Sequence, residues 1–261
     1  MLKDNILAYG KGVQSTAILV LIDNGVLPAP EVIFHSNMGI AEDYLLPYFN
    51  EYSAPLIARI CTRFGSRYEE SNLAFQQAVE NHVITPFWFL GAKGKPQLVA
   101  RRSCTKNFKV APSNKLIQRR GLGVIWLGIS ADELKRARDP EESLTWSRRR
   151  VNYYPLIELG FTRDDCFKII ADYGLPVPPK SSCDFCPFSA KKRLIERLAT
   201  DPTLYGRIKY IEAGWHQKPK NTHKFLTQFL GELPTQEEAK KLMGNYVNVI
   251  DNSGACGVCE F

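Results

Sequence analysis

No stretch of this 261-residue chain approaches the run of about 18 consecutive apolar residues that a membrane-spanning helix needs, and its first residues lack a basic region followed by a longer apolar one. The chain is therefore expected to be soluble, unexported and cytoplasmic, with no membrane partner. It has no low-complexity tract. Its seven cysteines do not divide into pairs, and a chain of this length buries a sizeable core without a disulfide framework. Two phosphate-binding signatures are also missing: there is no G-x-x-x-x-G-K-[ST] loop and no complete G-x-G-x-x-G turn. These absences set aside a membrane protein, a disulfide scaffold, a Walker-type NTPase and a standard dinucleotide-binding domain.

What is present begins at Ile6-Leu7-Ala8-Tyr9-Gly10-Lys11-Gly12-Val13-Gln14-Ser15-Thr16. A short apolar run meets a glycine-flanked turn that opens into a segment of helical spacing. Gly10 and Gly12 let the backbone approach a ligand, and Gln14, Ser15 and Thr16 bring N–H groups and hydroxyls to a helix N-terminus, an anion cradle. Val32-Ile33-Phe34-His35 reads as a second, parallel strand ending at Ser36-Asn37-Met38-Gly39, so both turns face one crevice at the carboxyl ends of the strands.

Residues 41–57 are expected to be helical. A less regular region is expected to follow them through Pro86-Phe87-Trp88-Phe89, and Gly91, Gly94 and Pro96 then to make a flexible loop that could cover a site. Val124–Ile129 reads as a central buried strand, Tyr153–Ile157 as a shorter strand or extended segment, and Thr162–Asp165 as the capping box of a helix that Gly174 stops. Further helices are expected over 190–199 and 203–213 and from Thr235 to Leu242.

The net charge is +7, and it is unevenly placed. Arg101, Arg102, Lys106, Lys109, Lys115, Arg119 and Arg120 form one segment without an acidic residue, followed by Arg148-Arg149-Arg150 and Lys191-Lys192-Arg193. Basic clusters beside other motifs point to a nucleotide or nucleic-acid surface. Cys183-x-x-Cys186 and Cys256-x-x-Cys259 each have the spacing with which one turn chelates an ion. Cys104, in cationic surroundings, joins them as a candidate, whereas Cys61 and Cys166 read as core residues.

Four features occur in order: the Gly10–Thr16 turn, Cys104-Thr105 leading to Phe108-Lys109-Val110-x-Pro112, Trp126-Leu127-Gly128-Ile129-Ser130 leading to Arg136, and Lys180-Ser181-x-Cys183-x-x-Cys186-Pro187-Phe188. Together they resemble the phosphoadenosine phosphosulfate reductase superfamily of N-type ATP pyrophosphatases over roughly residues 5–190. In chain plan the sequence is similar to the enzymes of DNA phosphorothioation and tRNA thiolation. The resemblance implies an α/β fold, a doubly wound parallel sheet of the adenine nucleotide alpha hydrolase type over residues 1–175, with a small helical, cysteine-bearing extension over 176–261.

It also implies ATP with Mg2+ as ligand. Tyr9, Gly10, Lys11, Gly12, Gln14, Ser15 and Thr16 would hold phosphates, Ser36 and Asn37 would approach adenosine, and Gly128 would border the base. Ser15, Lys11, Lys109 and Arg136 would carry catalysis. Lys11, where the family has a small residue, either adds a phosphate contact or occupies part of the pocket. Cys104, Cys183 and Cys186, with Cys259 or Cys256 as fourth ligand, would hold a [4Fe–4S] cluster or zinc. The implied partners are a nucleic acid, DNA before tRNA, a sulfur donor such as a cysteine desulfurase, and other subunits of a modification system. Two alternatives stand beside this one: a sulfonucleotide reductase, and a non-catalytic nucleotide-binding subunit that recruits DNA.

Overall fold

The structure, a computed structural model, describes residues 5–39, 42–71, 77, 87–99, 103–120, 123–137 and 150–244. Seven strands occur among them: β1 (Asn5–Ala8), β2 (Val32–Ser36), β3 (Arg67–Ser71), β4 (Phe87–Leu90), β5 (Pro96–Val99), β6 (Gly123–Trp126) and β7 (Arg150–Tyr153). The helices longer than two turns are α1 (Val13–Asp23), α2 (Ala54–Phe64), α3 (Ala111–Arg120), α4 (Arg163–Asp172), α5 (Lys191–Thr200), α6 (Leu204–His216) and α7 (Gln236–Gly244).

Five strands form one sheet in the order β3-β2-β1-β6-β7, and every pairing in it is parallel. Leu7 lies opposite Ile33 on one side and Trp126 on the other. The chain steps outward from β1 to β3, returns to the opposite flank of β1 as β6, and steps outward again to β7. Its direction therefore reverses between β1 and β6, where such sheets open a crevice beyond their carboxyl ends.

Side chains alternate across the sheet. Leu7, Ile33, Val124 and Trp126 pack into one core with buried residues of α1, α2 and α4. Ile6, Val32, Phe34 and Ile125 pack on the opposite face against Leu116 and Ile117 of α3. Helices cover both faces, which explains why β1, β2 and β6 read as continuous apolar runs. Every residue of α1 is buried, so its lack of a polar stripe follows from its central position.

The Thr162 capping box forms as expected: Thr162 Oγ1 accepts from Asp165 N at 3.3 Å and Asp165 Oδ2 accepts from Thr162 N at 2.9 Å. Other expectations are corrected. The strand β6 ends at Trp126; Leu127 N still donates to Tyr153 O at 2.9 Å, and Ile129 N donates to Leu127 O at 2.9 Å, so the chain turns at Gly128 beside α1 instead of continuing the strand. β7 ends at Tyr153, and Pro155 opens a short helix, Pro155–Glu158, where its missing N–H costs nothing. The stretch from Phe87 to Val99 is an antiparallel hairpin, β4 with β5, rather than an irregular loop.

A second core lies beyond the sheet. Leu194, Ile195 and Leu198 of α5 and Ile208, Ile211 and Trp215 of α6 pack with Met38 after β2 and with Phe87 and Phe108. The tail that carries Cys256 and Cys259 lies outside the described residues, as do Arg101, Arg102 and the arginines at 148 and 149.

The cap of α4 gives a direct test. Thr162→Ala leaves the first turn of α4 without its side-chain acceptor, and unfolding in urea is expected to show a loss of about 1 kcal/mol.

Candidate nucleotide cleft

β1 delivers the chain to the turn Tyr9–Gly12, in which Lys11 takes a left-handed conformation with φ of 54°. Gly12 is extended and α1 starts at the next residue, so the N–H groups of the first turn have no partners within the helix. The Ser15 hydroxyl accepts from Gly12 N at 3.3 Å and donates to Gly12 O at 3.1 Å, which tightens the turn. Two glycines let other segments close on it. A Cβ on Gly12 would lie 2.5 Å from Ser181 Oγ, and one on Gly128 would lie 3.1 Å from Ser15 N.

The resulting cleft, about 960 Å3 including its open mouth, is lined by Gly10, Gly12, Gln14, Ser15 and Gly128, and by Thr105, Lys109, Glu133, Arg136, Arg163, Lys180 and Ser181. Four cationic side chains face one carboxylate here. Glu133 accepts from Arg136 Nη1 at 2.7 Å and from Gln14 Nε2 at 3.1 Å, and Arg163 Nη1 donates to Gln14 Oε1 at 3.0 Å. The Gln14 amide thus ties the Glu133–Arg136 pair of the short helical turn Ala131–Arg136 to Arg163 at the start of α4, in one wall.

A smaller cavity adjoins it, lined by Tyr9, His35, Ser36, Glu42, Lys109 and Ser113. His35 Nδ1 lies 2.8 Å from Tyr9 O, so Nδ1 carries the proton and Nε2 is bare, 3.6 Å from Glu42 Oε2. Both side chains are nearly inaccessible, at 2% and 5%. Burial, reinforced by the positive charge of Lys11, lowers the His35 pKa to about 4. Burial also raises that of Glu42 against the opposing pull of Lys109, whose Nζ is 3.9 Å from Glu42 Oε1, and of Lys11.

The expected residues are not all brought together. Gly10, Gly12, Gln14, Ser15, Gly128, Lys109 and Arg136 line the cleft. Tyr9 and Ser36 line the adjoining cavity, where the Ser36 hydroxyl donates to Phe108 O at 2.7 Å. Lys11 lines neither. It is 4% exposed, its Nζ 3.9 Å from Glu70 Oε1 and 4.3 Å from the centroid of the Phe49 ring. Asn37 is engaged away from the cleft, Oδ1 accepting from Gly39 N at 2.7 Å and Nδ2 donating to Glu70 Oε2 at 3.4 Å. Thr16 is fully buried, its hydroxyl turned to Tyr9. The sequence reading missed Arg163, Lys180 and Glu133 as site residues. Arg163 had a local signal only as the first residue after a helix cap, and nothing linked it to Gln14.

Cys104 and Cys183 pack against the same second core. Burial raises the Cys183 thiol well above its ordinary value, and Cys186 and Cys104 add to that direction. Among the described residues no three His, Cys, Asp or Glu side chains are grouped to hold a metal ion. The three thiols are of the right chemistry for a cluster or zinc but do not make a centre by themselves. Cys166 is buried as expected, and Cys61 is half-buried.

Comparison with known protein families and with curated proteins returns no match to this chain.

Two expectations follow from this geometry. Gly128→Ala forces a Cβ against the backbone of α1, with an expected cost of about 1–3 kcal/mol in chemical denaturation. The second concerns pH. The unfolded histidine, with an ordinary value of 6.5, protonates before the buried one, so the stability His35 contributes is complete above pH 6.5 and is lost as the pH falls to about 4. The loss is of order 3 kcal/mol. Glu42 acts in the opposite sense, favouring the fold while protonated. Urea unfolding across that window should rise in midpoint with pH for the wild type and lose that rise in His35→Gln.

Proposed function

We propose that this chain is an ATP pyrophosphatase, converting ATP to AMP and pyrophosphate in order to adenylylate a nucleic-acid substrate for sulfur incorporation, with DNA phosphorothioation as the setting. The observation that carries the reading is the convergence, at the point where the sheet reverses direction, of the first turn of α1 with four cationic side chains. A helix N-terminus and flanking cations fit a polyphosphate. The motif order that resembles the N-type pyrophosphatases supplies the cleavage position at the α-phosphate.

On this reading the N–H groups of Val13, Gln14 and Ser15 hold the phosphates. Lys109, Arg136, Arg163 and Lys180 neutralise charge as a substrate oxygen attacks the α-phosphorus, its bond to the bridging oxygen breaks, and pyrophosphate leaves with the electron pair. Positioning and electrostatics then account for most of the acceleration. Mg2+ fits as a companion of the phosphates, because the one carboxylate of the cleft is already engaged by Arg136 and Gln14 and the ion retains several waters. Lys11 serves the turn rather than the phosphates. Cys104, Cys183 and Cys186 with Cys259 or Cys256 are proposed to hold a [4Fe–4S] cluster or zinc, and no step of the cleavage passes through it. A cysteine desulfurase or similar donor and other modification subunits complete the set of partners, and the cytoplasm is the proposed compartment.

Labelled ATP with Mg2+ is expected to give AMP and pyrophosphate in equal amounts, and Arg163→Ala and Lys180→Ala to lower kcat/KM by about 100-fold. ADP as product would overturn the reading. Sulfite release from phosphoadenosine phosphosulfate would replace it with a sulfonucleotide reductase, and nucleotide binding without turnover with a DNA-recruiting subunit.

A further inference from the structure

We infer that the β4–β5 hairpin and the segment 216–225 beside it form a docking surface for the phosphodiester backbone of a nucleic acid, placed to lead the strand toward the cleft. The inference rests on the proposed action of the cleft on nucleic acid. Its basis is a meeting of two distant pieces of chain. Trp88 N donates to Phe225 O at 2.8 Å and Phe225 N to Trp88 O at 2.9 Å, so the segment ending at Phe225 pairs with the hairpin. Phe87 sinks into the second core. Lys224 Nζ lies 4.9 Å over its ring and donates to Asn221 Oδ1 at 2.9 Å. The hairpin is thereby fixed at its base, while residues 92–97 at its tip are exposed.

Both pieces are free of negative charge. Residues 81–131 and 213–231 contain no Asp or Glu, in a chain that has 27 of them. Lys93, Lys95, Lys218, Lys220 and His223 are exposed on the paired segments. Lysine is depleted at protein–protein interfaces but is the residue that displaces counterions from phosphates, so the surface fits a polyanionic backbone better than a folded partner. A two-stranded ribbon is also narrow enough to lie in the major groove of a duplex. The chain then continues from β5 into the helical segment Ser103–Val110, whose Thr105 and Lys109 line the cleft. A strand held along the ribbon is thus bound by the same stretch of chain that builds the cleft wall.

The test uses the full chain and fluorescence anisotropy with a labelled DNA duplex, the corresponding single strand and its RNA equivalent over a range of salt. The wild type is expected to bind at least one of them, with affinity falling steeply with salt. The combined variant Lys93→Glu, Lys95→Glu, Lys218→Glu, Lys220→Glu should bind at least about tenfold more weakly, with a salt slope smaller by about two to four. The matching fourfold Lys→Arg variant should bind as the wild type does. Circular dichroism melting checks that both variants fold. Equal binding by the Glu variant, equal weakening of the Arg variant, no binding of any nucleic acid by the wild type, or tighter binding of polyglutamate than of nucleic acid would each overturn the assignment. AMP formation by the unmodified protein is scored separately. Loss of the pyrophosphatase reading with intact, lysine-dependent binding would leave the surface standing, and the reverse would leave the cleft standing.

Discussion

The cleft depends on one close approach, that of the chain leaving β6 to the first turn of α1. With only a hydrogen on its Cα, Gly128 lies where a side chain would press on the backbone of Ser15. That contact brings the two halves of the sheet together at the point of reversal, so the α1 N-terminus is covered on one side by Leu127–Gly128 and on the other by Lys180–Ser181. The partial positive charge of a helix N-terminus acts only over about its first turn. Cations from short helical turns and distant helices can add to it only if they converge there. Gln14 enforces that convergence, because its two amide atoms bind the Glu133 carboxylate and the Arg163 guanidinium and both are thereby held over the same turn.

Lys11 shows how charge is handled beneath the site. A left-handed conformation costs a non-glycine residue about 1–2 kcal/mol, and burying an ammonium costs more unless it is paired. The strain persists because the side chain reaches Glu70 at the edge of the sheet and the face of Phe49, with Glu42 and Asp43 near enough to favour its charged form against the opposing effect of burial. The turn after β1 is thus tied to the turn after β2 and to strand β3. Lys11 organises the floor on which the turn after β1 rests, and the same dry surroundings lower the pKa of the adjoining His35 and raise that of Glu42.

Much of the fold was legible in the sequence where burial is two-sided. β1, β2, β6 and α1 announce themselves as apolar runs, and the cap of α4 is a local hydrogen-bond pattern that needs no tertiary information. β3 was not legible, because Arg67–Ser71 is a polar edge strand without an apolar signature. The β4–β5 hairpin was hidden by the glycines of its turn and by Pro96 at the start of β5. In the site, the residues carried on the turn after β1 were found because they are contiguous. Arg163, Glu133 and Lys180 were not, since each reaches the cleft only through a parallel sheet that brings chain ends together across more than a hundred residues. Lys11 was found by position but not by direction, as nothing local tells a side chain in a left-handed turn to point inward.

The segment from Lys180 to Cys186 joins the cleft to the second core, and its anchoring argues that the two act as one unit. Asp184, between the two cysteines and 1% exposed, accepts from Arg197 Nε at 2.7 Å and Arg207 Nη2 at 3.3 Å. The Tyr44 hydroxyl lies between the carbonyls of Lys180 and Ser182, and accepts from Ser182 N at 3.0 Å and Arg193 Nη2 at 2.8 Å. The arginines come from α5 and α6, the tyrosine from the turn after β2, and Lys180 itself lines the cleft with the turn after β1. A buried carboxylate that moved away from both arginines would be left uncompensated, so the turn bearing Cys183 and Cys186 cannot shift without disturbing this set. Whatever those cysteines bind or undergo is therefore connected by consecutive polar contacts to the position of Lys180, one of the four cations on which the charge of the cleft depends.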